Sequence, residues 1–263
     1  MRIGTWNINS VRTRAQRAVD LAQRHDLDVL CLQETKVADD KFPVDIFRDA
    51  GYHVACHGLN QWNGVAILSK EEPEDVRTHF PNQPGFAKDP AKSQDREARA
   101  IGATIRGVEI WSLYIPNGRE LTDPHYNYKL QFYYQLARYV EQRSRGKLLL
   151  GGDFNIAPED TDVWDIEVFR GKTHVSEPER AAFQRLLEAG LRPLEHPEPY
   201  TYFDYKGARY QRGLGMKIDF LLVSEQLKAT KTFVDMEERA GEKTSDHVPL
   251  LTQLDLPDFD SVR

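Results

Sequence analysis

A short apolar run near the N-terminus constrains the fold most strongly. Val29, Leu30, Cys31 and Leu32 are consecutive, so a strand formed by them would have no polar face. Such a strand is typical of a sheet buried on both sides, as in layered α/β proteins, whereas a sheet with one solvated face shows alternation. The run therefore predicts an α/β fold with layers packed on both sides of a sheet.

Helical segments lie between further strand-like segments. Apolar residues recur at helical spacing after Ser10, which we expect to cap a first helix, and two more helices are predicted at 126–142 and 178–189. Ser176 and Glu179 have capping-box spacing at the start of the last helix, and Gly190 is a natural stop at its end. Strands are predicted at 3–8, 29–32, 54–57, 65–69, 100–105, 108–115, 147–151, 218–223 and 248–254.

The chain shows no composition shift or low-complexity linker that would divide it. Residues 81–94 form a polar loop, the best candidate for a mobile excursion, but strand-like segments continue on both sides of it. We therefore expect one domain over residues 1–263, with a polar tail at 257–263 that can fray.

Composition limits the classes of function. With 41 acidic and 35 basic residues the net charge is −6, so binding of a nucleic acid would require a local basic surface or a metal. No window has the roughly 18 consecutive apolar residues of a membrane helix, and no apolar signal segment follows Met1, which favours a cytoplasmic protein without a membrane partner. Cys31 and Cys56 are interpreted as small buried hydrophobic residues.

Polar clusters follow or precede several predicted strands. Each alone is an ordinary turn or cap, but strand ends in layered α/β proteins are rigid supports for functional sites. Together the clusters predict one shared pocket. They lie at 6–9, 33–35, 152–155, 217–219 and 245–249.

Convergence of these clusters would bring four carboxylates together, those of Glu34, Asp153, Asp219 and Asp246. They cannot all ionise cheaply without compensating positive charge, and oxygen donors without thiolates favour Mg²⁺ or Mn²⁺ over zinc. Glu34 is the strongest candidate ligand. His247 is a poor magnesium ligand, so proton transfer or phosphate contact suits it better.

This set of groups favours hydrolysis of a phosphodiester. A metal would stabilise charge on the phosphate and leaving oxygen, and amide donors from Asn7 or Asn155 would hold phosphate oxygens. A general base contributes about 10²- to 10⁴-fold, so loss of the metal should cost more than loss of one proton shuttle. Tyr114 either adds a phenolic hydroxyl or is a packing aromatic residue.

Six ordered segments closely resemble the motifs of the exonuclease III family, the bacterial-type apurinic/apyrimidinic (AP) endonuclease branch of the endonuclease/exonuclease/phosphatase superfamily. They span most of the chain, which makes a chance match of all six improbable. The segments are Trp6–Ser10, Leu32–Lys36, Tyr114–Gly118, Gly152–Ile156, Ile218–Leu222 and Ser245–Pro249.

The resemblance implies a four-layered α/β sandwich, in which two packed mixed sheets are flanked by helices, and a metal-dependent DNA repair phosphodiesterase. It implies that Asp219 orients His247 and that Tyr114 is the catalytic phenol, while the choice of Asp153 or His247 as base stays open. The implied catalytic residues are Tyr114, Asp153, Asn155, Asp219 and His247. The implied Mg²⁺ (or Mn²⁺) site comprises Asn7, Glu34, Asp153, Asn155, Asp246 and His247.

A pocket for an abasic sugar is also implied by the resemblance. Its walls would include Tyr202, Phe203, Met216 and Ile218, although an aromatic cluster of this kind is also typical of a core. Met216 and the segment 212–215 depart from the family pattern, which leaves the balance of endonuclease, exonuclease and 3′-phosphatase activities open.

The expected partner is double-stranded DNA with abasic sites or blocked 3′ ends, bound by a monomer that would be nucleoid-associated in a bacterium. Binding should depend on salt but not on base sequence. Alternatives are a superfamily phosphodiesterase for lipid headgroups or inositol phosphates, and a non-catalytic DNA-binding module. The DNA-contact candidates are Asn117, Arg119 and Arg212, with Arg96, Arg99, Arg209, Lys36 and Lys129 as further ones.

Overall fold

The computed structural model describes residues 1–256, so the predicted tail at 257–263 lies outside the described residues. The strands in this part of the chain are β1 (Arg2–Asn7), β2 (Val29–Gln33), β3 (His53–His57), β4 (Val65–Ser69), β5 (Glu74–Arg77), β6 (Ala100–Ile105), β7 (Val108–Tyr114), β8 (Leu148–Asp153), β9 (Leu191–Pro193), β10 (Asp219–Ser224), β11 (Lys228–Val234) and β12 (Leu250–Asp255). The α-helices are α1 (Val11–Arg24), α2 (Val44–Asp49), α3 (Pro124–Arg143), α4 (Ile166–Phe169) and α5 (Glu177–Glu188).

The strands form two six-stranded sheets with the same pairing pattern. The first has the order β11-β12-β1-β2-β4-β3, and the second has the order β5-β6-β7-β8-β10-β9. Each contains one parallel pair, β1 with β2 and β7 with β8, and all other pairs are antiparallel. Both sheets are therefore mixed, as expected.

Helices cover the outer faces of the two packed sheets. Apolar side chains of both sheets, such as Ile67 and Ile110, form the core between them. Residues of α1 and α2 pack on the other face of the first sheet, and residues of α3 and α5 pack on the second. This arrangement confirms the predicted four-layered α/β sandwich, and the buried β2 confirms the interpretation of the apolar run.

The two parallel pairs place polar residues at one edge of the molecule. Asn7 ends β1, Tyr114 ends β7 and Asp153 ends β8. Asp219 begins β10, which runs antiparallel to β8 and sets Asp219 directly opposite Asp153. Because the carboxyl ends of parallel neighbours lie at the same sheet edge, each sheet supplies one half of a polar site there.

The sequence did not predict β5, β9, β11, α2 and α4. The edge strand β5 is largely exposed, the edge strand β11 is partly exposed, and both carry charged residues, so they lack the apolar signature of an interior strand. At α1, Ser10 occupies the predicted N-cap position, but its side chain makes no capping hydrogen bond to the helix, so the predicted capping interaction is wrong. The capping box of Ser176 and Glu179 is present, and Gly190 ends α5 with φ 114°.

Within residues 1–256, no helix is long and apolar enough to cross a membrane. Cys31 is buried in the core, whereas Cys56 is only half-buried. The predicted loop at 81–94 contains no helix or strand and is anchored by Phe86, whose ring stacks on Tyr128 at 4.9 Å between centroids.

Gly152 allows β8 to approach β7 next to the polar edge. A Cβ atom at Gly152 would lie 1.9 Å from the carbonyl oxygen of Leu113, which the backbone cannot accommodate without moving. We expect Gly152→Ala to lower the free energy of unfolding by about 1–3 kcal/mol, measured by urea denaturation. Gly146→Ala is the control, because its Cβ would meet only the Arg143 carbonyl at 3.5 Å. Equal stability of the two variants would contradict the prediction.

Candidate active site

Glu34, Asp153 and His247 form the centre of the polar edge. Each offers a possible ligand atom, and these atoms all lie within 4.8 Å of one another. Asn7 is fully buried beneath them and donates from Nδ2 to Glu34 Oε1 at 2.8 Å and to Asp153 Oδ2 at 3.0 Å. Its Oδ1 accepts from the backbone N–H of Asn9, so the donor end of the amide faces the carboxylates. A metal ligand at Asn7 would have to turn its amide oxygen toward the cluster, so the observed orientation does not support the predicted role of Asn7 as a metal ligand.

The imidazole of His247 is held by two buried groups. Its Nδ1 lies 2.8 Å from Asp219 Oδ2, and the same carboxylate oxygen accepts from Thr201 Oγ1 at 2.6 Å. The opposite ring atom, Nε2, lies 3.8 Å from Asp153 Oδ2. The ring is therefore fixed with one nitrogen toward Asp219 and the other toward the cluster.

Burial and mutual repulsion shape the charges of the cluster. Burial, together with the charges of Asp219 and Glu34, raises the pKa of Asp153 to about 7. For His247, burial alone would lower the pKa, but the Asp219 and Asp153 carboxylates outweigh it and raise the pKa to about 10. Burial also opposes ionisation of Glu34, yet Lys36 and Asn7 hold its pKa below the usual value. The cluster is thus rich in negative charge.

The raised pKa values predict a pH-dependent stability for the protein without divalent cations. The folded state binds the Asp153 proton more tightly than the unfolded state does, so the free energy of unfolding should fall as pH rises from the ordinary 3.8 to about 7. The His247 contribution is complete below 6.5 and is lost as pH rises through about 10. Urea denaturation in EDTA would measure both slopes. Asp153→Asn should flatten the first, and an unchanged slope would contradict its assignment.

Tyr114 lies beside the cluster at the end of β7. Burial and the nearby Glu34 carboxylate raise its pKa well above the ordinary value, so the phenol is neutral and can donate a proton in a hydrogen bond. The guanidinium of Arg99 lies 4.8 Å from the centre of its ring. Tyr114 lines the pocket described next and also packs against the core between the sheets, so its position is compatible with both a site residue and a packing residue.

A cavity of about 330 Å³ opens above the cluster. Tyr202, Met216 and Ile218 line it as expected. Phe203 does not, which corrects the prediction: it is buried in the core between the sheets, with its ring 5.3 Å from that of Tyr210. Tyr202 bridges to Met216 and His247 in extended backbone, so the next side chain points to the opposite side.

Several lining residues escaped the sequence analysis. Trp164 and Phe169 form part of the outer wall, with their rings 6.1 Å apart, and His174 lies on the side of Asn155. His174 Nε2 is 3.2 Å from Asn155 Oδ1, and the same oxygen accepts from Asn117 Nδ2 at 3.0 Å. These residues come from loops and a one-turn helix, where no periodic pattern indicates which side chains turn inward.

Asp246 lies on the pocket wall but outside the central cluster. Its carboxylate accepts from Asn9 Nδ2 at 2.9 Å, and among residues 1–256 only Glu34, Asp153 and His247 form a ligand group of His, Cys, Asp or Glu. The geometry therefore gives less support to Asp246 as a metal ligand than to Glu34.

The predicted DNA contacts differ in whether they line the pocket. Asn117 and Arg209 line the pocket, whereas Arg119 and Arg212 are exposed outside it. Among the further candidates, Arg96 is exposed and Lys36 pairs with Glu34 at 2.7 Å.

Two of the further candidates are corrected by the structure. Arg99 is buried and paired with Glu97 at 2.6 Å. Lys129 is completely buried against Glu179. A basic side chain that is enclosed and already paired has no access to a phosphate backbone, so these two are not DNA contacts.

Comparison with known proteins identifies the relatives of this arrangement. The sequence profile of the Endonuclease/Exonuclease/phosphatase family matches residues 4–247. The chain belongs to this family. It is 32% identical over 271 aligned positions to exodeoxyribonuclease III of Haemophilus influenzae, covering 95% of this chain and 98% of the relative. The family and its relatives named as exodeoxyribonucleases together confirm the predicted enzyme class, a nuclease.

Solved structures of a nuclease and an AP endonuclease have the same fold. The 3′-5′ exonuclease NExo of Neisseria meningitidis superposes with a TM-score of 0.89 and 40% identity, covering 97% of this chain and all of that one. An AP endonuclease of Archaeoglobus fulgidus superposes with a TM-score of 0.86 and 34% sequence identity, again covering 97% of this chain and all of that one.

The central cluster fits the metal dependence of the family. Glu34 and Asp153 offer hard oxygen donors, and the surplus of negative charge over nearby positive charge calls for a cation. Among described residues, the cluster contains no thiolate that would favour a soft metal.

Proposed function

We propose that this chain is a Mg²⁺-dependent DNA repair phosphodiesterase that cuts 5′ of abasic sites and removes nucleotides and blocking groups from 3′ ends. The observation that carries the proposal is the Glu34–Asp153–His247 cluster at the floor of a pocket of about 330 Å³. Relatives named as an exodeoxyribonuclease III and as an AP endonuclease support it, as does the 3′ phosphatase NExo solved with a product DNA hairpin.

In this proposal the carboxylates of Glu34 and Asp153 would hold the cation. When bound there, Mg²⁺ would supply positive charge for the scissile phosphate and the leaving oxygen. Asn7 fixes both carboxylates from below through its two donated hydrogen bonds, so their oxygens keep one arrangement. Mn²⁺ satisfies the same oxygen donors and is the expected substitute.

Proton transfer and phosphate contact are divided among the remaining groups. Asp219 favours the protonated form of His247, so His247 approaches the phosphate as a donor, and Asp153 accepts the proton of the attacking water. The neutral phenol of Tyr114 supplies a further hydrogen bond to a phosphate oxygen. Asn155 Nδ2 already donates to the Ile115 carbonyl at 2.9 Å and Asn117 Nδ2 donates to Asn155 Oδ1 at 3.0 Å, so each amide contributes its second N–H to the phosphate. Asp153 is placed for its role by the backbone N–H of Asn155, which donates to Oδ1 at 2.9 Å.

The pocket walls support selection of a nucleotide without its base. Tyr202, Met216, Trp164 and Phe169 enclose the space with apolar surface, which suits a deoxyribose. A normal nucleotide would have to unstack and bring a bulky base with it, and both requirements disfavour its entry. Arg209 at the rim, 5.4 Å from the Trp164 ring, is available to neighbouring phosphates.

The test is a parallel assay of several phosphodiesters. With Mg²⁺, we expect cleavage of abasic duplex DNA and of duplexes with recessed or 3′-phosphate ends, because the pocket accepts a sugar without a base. Inositol phosphates and lipid headgroup phosphodiesters should remain intact. DNA binding without turnover on any substrate would instead indicate a binding module, and cleavage of only the headgroup esters would indicate the other superfamily class.

We also propose that the chain acts as one domain and as a monomer. The family profile spans both sheets, and all residues of the central cluster come from the same chain. The pocket therefore needs no residue from a second copy.

A further inference from the structure

A buried ion pair lies directly behind the Asn117, Asn155 and His174 side of the pocket. Lys129 on α3 and Glu179 on α5 are both fully enclosed, with Nζ and Oε1 2.5 Å apart. Replacement of a buried ion pair by apolar residues is often neutral or stabilising, so its presence needs a reason other than global stability. The contacts of the pair suggest that reason.

Lys129 binds the backbone of two pocket loops. Its Nζ donates to the carbonyl oxygens of Asn155, at 2.5 Å, and of Asn117, at 3.3 Å. One turn further along α3, the Tyr133 hydroxyl donates to the carbonyl of Phe154 at 2.6 Å. The segment that follows Asp153 is therefore held from beneath at two consecutive carbonyls by residues on one face of α3.

Glu179 binds the third pocket loop. Its Oε1 accepts from the backbone N–H of His174 at 3.0 Å and lies 2.6 Å from Thr173 Oγ1. Its Oε2 accepts from the backbone N–H of Ser176 at 3.2 Å, which completes the cap of α5. One carboxylate thus fixes residues 173–176 and neutralises Lys129.

The loops that carry Asn117 and Thr173 are closely packed against each other and against the Lys129–Glu179 pair. A Cβ atom on Gly118, whose φ is +88°, would lie 2.8 Å from Thr173 Oγ1 and 3.2 Å from Lys129 Cδ. The backbones are fixed at the pair, and the side chains of Asn117, Asn155 and His174 meet within 3.2 Å on the pocket side. Asn155 has φ 50°, in the left-handed region that asparagine adopts more readily than most residues.

We infer that the Lys129–Glu179 pair is a positioning device that sets the Asn117, Asn155 and His174 side chains for the phosphate. This inference rests on the proposed function, in which the amides of Asn117 and Asn155 contact phosphate oxygens. Lys129 and Glu179 are positioning residues, because they touch the loops and not the substrate.

The test compares the double variant K129M/E179Q with the control Glu109→Gln. Methionine retains most of the lysine stem, and the carboxamide of glutamine retains the shape of the glutamate carboxylate, so neither leaves an unpaired buried charge. Glu109 belongs to another ion-pair network, with Arg77 and Arg143, and lies at the opposite end of β7 from Tyr114. We expect the double variant to lose about tenfold or more in kcat with KM changed by less than about threefold, and the control to keep kcat within about twofold.

A second variant protects the test against failure of the double variant to fold. Thr173→Val removes only the hydroxyl that lies between Glu179 and the Asn117 carbonyl, 2.6 and 3.1 Å from them, and should lower kcat by about threefold at unchanged KM. An unchanged kcat in a folded K129M/E179Q, or in Thr173→Val, would overturn the inference. So would an equal loss of kcat in Glu109→Gln at the same loss of Tm, since that would show a general effect of stability.

Nuclear magnetic resonance separates this inference from the proposed function. The side-chain amide signals of Asn117 and Asn155 should move in K129M/E179Q toward values of free amides and stay in place in Glu109→Gln. If the wild-type chain cleaves no DNA, the proposed function fails, whereas the amide signals still report the positioning. Unchanged signals in the double variant would overturn the positioning role whatever the activity.

Discussion

Removal of divalent cations with EDTA is expected to lower the rate of DNA cleavage by more than about 10⁴-fold, the largest effect predicted for this chain. A general base contributes at most about that factor, and electrostatic stabilisation must supply the remainder of a large barrier. Without a cation, the carboxylates of Glu34 and Asp153 would repel the incoming phosphate. Cleavage of an abasic duplex, followed in EDTA and after addition of excess Mg²⁺, measures the effect. Full activity in EDTA would contradict the metal site.

Binding of the cation should also appear as thermal stabilisation. A ligand that binds only the folded state contributes about 2.7 kcal/mol at 100 times its Kd, so Tm should rise with Mg²⁺ concentration. Glu34→Gln should abolish most of this rise, because it removes a charge within the central cluster. Asp246→Asn is the matched comparison. It should reduce the Mg²⁺-dependent rise in Tm less than Glu34→Gln does, since the Asp246 carboxylate already accepts a hydrogen bond from Asn9 Nδ2. A larger loss with Asp246→Asn would place the cation on that side of the pocket.

Replacement of Asp153 by asparagine is expected to reduce kcat by about 10³- to 10⁴-fold at saturating Mg²⁺. The amide keeps the shape of the carboxylate but cannot accept the proton of water. His247→Gln should cost about 10²- to 10³-fold, because it removes one charged donor while Asp153 stays in place. Single-turnover kinetics on an abasic duplex would measure both.

A buried carboxylate elsewhere provides the control for Asp153. Asp162 is buried and its pKa is also raised by burial, but it is not part of the pocket wall. Asp162→Asn should therefore change stability while leaving kcat within about twofold. A kcat for Asp153→Asn as high as that of Asp162→Asn would exclude Asp153 as the base.

The sequence predicted the interior of the fold more successfully than its edges. β2 and β8 are buried on both faces, so nearly every residue is apolar and the pattern is unambiguous. β11 lies at a sheet edge with several exposed residues, and its sequence resembles a loop. The pairing pattern shared by the two sheets also left no trace as a sequence repeat, because pairing depends on backbone hydrogen bonds that many side chains permit.

The pocket was predictable where its residues belong to strand ends. Asp153 and Asp219 lie opposite each other, as the expected convergence of strand ends requires, because they adjoin strands whose ends share an edge. His174, Trp164 and Phe169 were missed since loop conformation decides whether such side chains turn inward. Lys129 was misassigned for a similar reason: a lysine in a helix is usually solvated, and only a distant acid, Glu179, explains its burial.

The position of β1 in its sheet has a consequence for folding. The strand that carries Asn7 lies between β2 and β12, and β12 is formed by Leu250–Asp255, so two segments that are far apart in the sequence must pair. Such a long sequence separation makes closure of this sheet a late event in folding. His247 lies just before β12 and reaches the carboxylates only at that stage, so the polar cluster is assembled together with the last part of the sheet rather than before it.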